Sequence, residues 1–137
     1  MKQWIMMGVL CLLCLFLSTG CETVTEGGQK GKDLDYTVVP TADIPEEFAK
    51  EIEKKKINAF QMTYQDGEYL YIAIGYGQQE NSGFSIQIIG LYEKGENICI
   101  ETSLTGPEDG EIVSEKESFP FIVVKSEQKD KKVEFYF

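Results

Sequence analysis

Downstream of Ile57 the chain is written in a period of two. Phe60, Met62 and Tyr64 alternate with Gln61 and Thr63, Phe84, Ile86 and Ile88 with Ser85 and Gln87, and Val133, Phe135 and Phe137 with Glu134 and Tyr136. Successive side chains of a strand point to opposite faces, so this alternation predicts strands with one buried face. The run 69–76 is apolar at nearly every position, which predicts a central strand covered on both faces. Further strands are expected at 98–102 and 119–124, with a short one at 34–39 stopped by Pro40. Asp66-Gly67 and Lys94-Gly95-Glu96-Asn97 read as hairpin turns. Gly106-Pro107-Glu108-Asp109-Gly110 cannot continue a strand and reads as the longest loop.

Upstream, residues 45–56 switch to a helical pattern. Pro45 opens the segment, Glu46 and Glu47 fill its first turn and Lys54, Lys55 and Lys56 its last, each charge complementing the helix dipole. Ile44, Phe48 and Ile52 form its single apolar stripe, and the lysine run is thereby explained as a C-terminal turn rather than a membrane patch. The elements together predict a mainly β fold, an antiparallel sandwich or curled sheet of about six strands with one N-terminal α-helix packed against it.

The first 20 residues follow another pattern: Lys2, an apolar run of thirteen residues at 5–17, then Ser18-Thr19-Gly20-Cys21. The run is shorter than the ~20 residues a spanning helix needs. A small residue directly before a cysteine at the end of such a run is the mark of a bacterial lipoprotein signal, the alternative being an ordinary secretory signal with a coincidental cysteine. Ser18 stands where these signals usually carry leucine, with Leu17 one position further out. Cleavage before Cys21 and acylation of its thiol with palmitate-type chains are expected, each buried methylene contributing ~0.8 kcal/mol to membrane attachment. The expected organisation is a signal peptide at 1–20, a polar, glycine-dotted tether at 21–33 and a single domain at 34–137 on the outer face of the cell membrane. The tether would hold the domain on the order of 20 Å from its lipid.

Composition narrows the chemistry. The chain has 13 lysines, no arginine and no histidine against 23 acids, a formal charge of −10. Such a surface repels nucleic acid, and without arginine it lacks the bidentate fork for phosphate or carboxylate. The absence of histidine removes Ser-His-Asp and Cys-His catalysis and imidazole zinc sites. Cys11 and Cys14 leave with the signal and Cys21 is acylated, so Cys99 is left as a half-buried hydrophobe in a strand with no disulfide partner. A carboxylate pair such as Asp109 and Glu111 could in principle serve a hydrolase, and the run Glu108, Asp109, Glu111, Glu115, Glu117 could in principle hold calcium. The run lacks EF-hand spacing, however, and a solvated acidic loop explains it. No catalytic residue, no metal and no cofactor are expected.

Gly75, Gly77 and Gly83 flank a polar loop longer than a tight hairpin requires. It is either a hairpin whose glycines supply unusual backbone angles or a recognition loop on rigid strands. On the second reading Tyr76 and Phe84 are aromatic anchors, Gly77 and Gly83 shape the loop, and Asn81 and Ser82 make contacts. The runs Tyr69-Leu70-Tyr71-Ile72-Ala73-Ile74-Gly75, Ser82-Gly83-Phe84-Ser85-Ile86 and Phe119-Pro120-Phe121-Ile122-Val123-Val124-Lys125, with the acidic loop at Pro107, resemble the C-terminal domain of the protease complex subunit PrcB family. The resemblance covers roughly 57–137, and the upstream helix resembles that of Gram-positive members. Where the family shows Gly-Gly-Tyr-Ser this chain has Ser82-Gly83-Phe84-Ser85, which keeps the loop shape but lacks the tyrosyl hydroxyl.

The resemblance implies a non-catalytic, lipid-anchored accessory subunit that binds an extracytoplasmic protein, such as a surface protease complex. The loop is also similar to the Asn-Pro-Thr-Thr-Gly-Tyr loop of chagasin-type cysteine-protease inhibitors, lacking its proline and second threonine. Protease inhibition through 77–84 is the alternative this similarity implies.

Overall fold

The computed structural model describes residues 31–137; the expected signal peptide at 1–20, Cys21 and most of the expected tether lie outside the described residues. The described chain forms β1 (Lys32–Asp33), β2 (Tyr36–Val38), α1 (Glu46–Lys55), β3 (Ala59–Asp66), β4 (Tyr69–Tyr76), β5 (Ser85–Lys94), β6 (Asn97–Thr105), β7 (Phe121–Glu127) and β8 (Lys132–Tyr136). These strands make two four-stranded sheets, β1-β5-β6-β8 and β2-β7-β4-β3, packed as a mainly β sandwich.

Alternation decides which side chains fill the space between the sheets. Leu70, Ile72 and Ile74 of β4 and Val124 of β7 meet Leu91, Ile98 and Ile100 of the facing sheet, and all are buried. The other face of β4 and β7 is covered as well. Tyr71, Ala73 and Val123 pack with Phe60 against Ile44, Phe48 and Ile52, the apolar stripe of α1. The Phe48 ring stacks on Tyr64 at 5.2 Å. Burying Phe48 and Ile52 contributes about 1.5–3 kcal/mol each, and this burial, more than intrinsic propensity, holds a ten-residue helix in place. Strand β4, apolar on both faces, is accordingly central between β3 and β7.

Four expectations are corrected. There are eight strands rather than about six: the segment expected at 34–39 holds only β2, and a further short strand, β1, lies just upstream of it, in residues expected as tether. Lys32 and Asp33 pair with Glu93 and Tyr92 of β5, whereas Tyr36–Val38 pairs with β7. The break lies at Leu34 and Asp35: Leu34 packs into the interior and the Asp35 carbonyl accepts a hydrogen bond from Ser126 Oγ (2.8 Å), so the chain crosses from one sheet to the other. Lys32 and Asp33, expected in the tether, are thus strand residues. Nor is the sandwich wholly antiparallel, since β8 runs parallel to β6. Last, the turn after β3 centres on Gly67 and Glu68, with Asp66 and Tyr69 as its closing pair.

Cys99 is fully buried on the outer side of its strand, and desolvation there pushes its thiol above the ordinary range. No disulfide partner for it exists among the described residues.

Candidate functional site: a paired-loop surface

The reversals β3–β4, β5–β6 and β7–β8 gather at one end of the sandwich. The loops 77–84 and 106–120 gather at the other, where they are fastened to each other. Gln79 and Ser118 form a two-way backbone bridge, with N–H to O=C distances of 2.8 and 3.0 Å. Ser82 N–H donates to the Ser114 carbonyl (3.0 Å), and Ser114 N–H donates to Ser82 Oγ (2.9 Å). Ser118 Oγ donates to the Asn81 carbonyl (2.5 Å). The two segments thus behave as one surface, although they come from different inter-strand connections.

Each residue expected at the site has a definite place in this arrangement. Tyr76 is half-buried at the end of β4, its hydroxyl hydrogen-bonded to Thr102 Oγ1 (2.8 Å) and its ring edge-on to Phe137 at 5.7 Å. Gly77 takes a left-handed φ of 77°, and a Cβ there would lie 2.9 Å from the Ala59 backbone nitrogen. Asn81 turns inward, Oδ1 accepting the Gly83 N–H at 2.8 Å. Ser82 is exposed at the surface, yet its hydroxyl is committed to Ser114. Gly83 has no positive φ. Its small size is required by close approach, because a Cβ would sit 2.6 Å from Val113 Cγ1 and 2.7 Å from Pro107 Cβ. The Phe84 ring lies against Gly106. The structure therefore brings Gln79, Asn81, Ser82 and Gly83 together with the second loop, and uses their polar atoms to build the surface rather than to present it.

What the surface presents comes from the other loop. Ile112 is 99% exposed, and Glu108, Asp109, Glu111, Glu115 and Glu117 are exposed around it, with Lys116 the single cation of 106–120. Glu111 caps the turn: its Oε2 accepts Glu108 N–H (2.9 Å) and its own N–H donates to the Glu108 carbonyl (3.0 Å). That use of the carboxylate, together with full exposure, leaves Asp109 and Glu111 without the enclosed pocket that a hydrolytic pair needs. Among the described residues no three acidic or thiol side chains converge to ligate a metal. Ile112, Val113, Ser114 and Ser118 were missed by sequence reasoning. One usable signal was present, the apolar pair Ile112-Val113 inside an acidic, proline- and glycine-marked loop.

Comparison with known proteins adds one family. Residues 70–127 match the family described as PrcB C-terminal. The match runs from β4 to the end of β7 and so contains both loops whole. No curated protein matches the chain, and no solved structure does.

Proposed function

Residues 70–127 match the PrcB C-terminal family, and from that premise we propose that the chain is a non-catalytic accessory subunit of that family, lipid-anchored through Cys21 on the outer face of the cell membrane, that docks on an extracytoplasmic protein through the paired loops. The observation that carries the reading is Ile112. An isoleucine held 99% exposed directly after the hydrogen-bonded turn Glu108–Glu111 has its apolar surface left over for a partner, and rigid presentation lowers the ordering cost of binding. The acids around it favour a partner whose apolar pocket is rimmed by lysine or arginine, and they would steer the encounter. A surface protease complex is the partner class that the family suggests.

Inhibition by insertion of 77–84 into an active-site cleft fits less well. That loop is tied along its length to Ser114 and Ser118, and its asparagine is spent on its own backbone.

The test is co-purification from detergent-solubilised native membranes with the wild-type chain and with Ile112→Asp. Exposed loop substitutions usually change stability by no more than about 0.5 kcal/mol, so the variant should fold normally. We expect a stoichiometric partner with the wild type and at least tenfold less with Ile112→Asp. Undiminished capture by the variant would remove Ile112 from the interface. Cys21→Ala should separately release the protein from the membrane or leave the precursor uncut; incorporation of labelled palmitate into that variant would refute the anchor.

A further inference from the structure

The sandwich is shut along one side and open along the other. On the shut side the chain itself crosses between the sheets, β1 on β5 and β2 on β7, with Leu34 tucked inside. On the open side the edge strands β3 and β8 flank a groove that nothing in the described chain covers. Two hollows of about 360 and 500 Å3 lie along it and share Gln61. The first has Leu70, Val133 and Phe135 among its apolar lining, with Thr63 and Gln65 on the β3 wall. The second runs past Ala59 and Gly75 to the paired rings of Tyr76 and Phe137.

Three properties of this groove point to the same occupant. The β3 edge offers backbone. In a hairpin with a two-residue turn the closing pair, here Asp66 and Tyr69, exchanges both hydrogen bonds, and the pattern then alternates. The N–H and C=O groups of Gln65, Thr63 and Gln61 therefore point away from β4, and they have no backbone partner among the described residues. The groove lining also includes Gln128, whose Oε1 is buried without a hydrogen-bond partner among the described residues.

Charge supplies the third property. Acids outnumber lysines 23 to 13 in the chain, yet no Asp or Glu lines either hollow, whereas Lys129, Lys131 and Lys132 line the first. Lys129 and Lys131 are shared with Glu93 at 3.2 and 3.4 Å; Lys132 makes no ion pair among the described residues and is exposed.

We propose that this groove binds an extended peptide segment of a partner protein, added to β3 as a further strand of its sheet, with a carboxylate side chain over Lys132. Main-chain pairing to an open edge supplies affinity in this mode, and alternate side chains supply selection. Leu70, Val133 and Phe135 would receive every second side chain of the guest. The inference is independent of Ile112, which lies outside the groove, so either can fail while the other stands.

The experiment uses the full chain in detergent and two labelled probes. Both are capped eight-residue peptides of alternating valine and threonine, one ending in two glutamates and the other in two lysines. By fluorescence anisotropy the glutamate peptide should bind at least tenfold more tightly than the lysine peptide, and Lys132→Glu should reverse that order. Amide exchange should slow at Gln61, Thr63 and Gln65. Thr63→Pro removes an outward N–H, which an edge strand tolerates, and should weaken binding at least tenfold while exchange in β4 and β7 is unchanged. Should that variant misfold, the glutamate peptide N-methylated at alternate amides asks the same question of the unaltered protein and should lose binding. The proposal is overturned by failure of both probes to bind, by equal binding of both charges, by full binding of the N-methylated peptide, or by protection that appears at 77–84 and 106–120 instead of β3.

Discussion

The two ends of the sandwich reverse the chain in opposite ways. At the turn end, β3–β4 and β5–β6 each turn in two residues and β7–β8 in four; at the loop end, β4–β5 takes eight residues and β6–β7 fifteen. The two-residue turns are each shaped by local chemistry. Gly67 takes a left-handed φ of 58° with nothing within 4 Å of where a Cβ would be, so its turn is shaped by backbone preference alone. The loop end is held by contacts between residues more than thirty positions apart, such as Ser82 with Ser114 and Asn81 with Ser118. A surface built that way can change its apex without disturbing the strands. Binding loops on a rigid scaffold exploit this separation.

Glycine substitutions at the two ends should therefore not cost the same. Gly77→Ala should have the largest effect, because two penalties coincide there. A left-handed non-glycine residue costs about 1–2 kcal/mol, and the new Cβ would meet the Ala59 nitrogen at 2.9 Å, a backbone atom that cannot move aside cheaply. Overpacking adds about 1–3 kcal/mol. Gly67→Ala should cost the first term alone. Chemical denaturation of both variants makes the comparison, and equal losses would show that the loop end carries no extra constraint.

Gly83→Ala comes next and isolates the second term, since its backbone carries no positive φ and the conflict is with the Val113 and Pro107 side chains. We expect a loss of about 1–3 kcal/mol. Combining it with Val113→Ala should recover part of that loss, because the nearest obstructing methyl is then gone. Coupling between contacting residues is commonly about 0.5–3 kcal/mol. Strict additivity would mean that the two loops do not touch at Gly83.

These glycines also show what sequence can and cannot tell. Alternation placed Phe60, Met62 and Tyr64 on one face of β3, and the dipole-matched charges and apolar stripe of 45–56 located the helix, because such signals lie within a few residues of one another. The direction of β8 was not legible, since a period of two is the same for parallel and antiparallel strands. Phe137 continued the apolar alternation but is 65% exposed, as pairing with β6 ends at Glu101 and Tyr136. In the site, 77–84 and the acidic run read as separate candidates. Their joining rests on serines whose partners lie in the other loop, and a serine in a loop announces nothing about its partner. Gly83 stood out in the sequence, but sequence could not tell a backbone requirement from a close approach.

The smallest effect should be electrostatic and confined to the turn end. Glu93 Oε1 lies 3.2 Å from Lys129 Nζ and 3.4 Å from Lys131 Nζ, and Lys131 also donates to the Gly95 carbonyl at 3.0 Å, fastening the β7–β8 turn to the β5–β6 hairpin. The hydrogen bond from Lys129, with the charges of both lysines, holds the Glu93 carboxyl below its ordinary range. A carboxyl with a depressed pKa in the fold binds its proton less readily there than in the unfolded chain. Its stabilising contribution is thus complete above the ordinary glutamate value of about 4.3 and fades as pH falls through the lower folded value. Protection of the 128–131 amides, corrected for intrinsic exchange, should decline below about pH 4. In Glu93→Gln that acid-dependent decline should be missing, because the protection is already reduced at neutral pH. The Ser82–Ser114 and Ser118–Asn81 bonds join hydroxyl and backbone groups that do not titrate in this range, so they give the loop end no reason to open with the turn. Loss of protection at 77–84 before 128–131, or an unchanged acid response in Glu93→Gln, would show that the turn end is fastened by something other than this carboxylate.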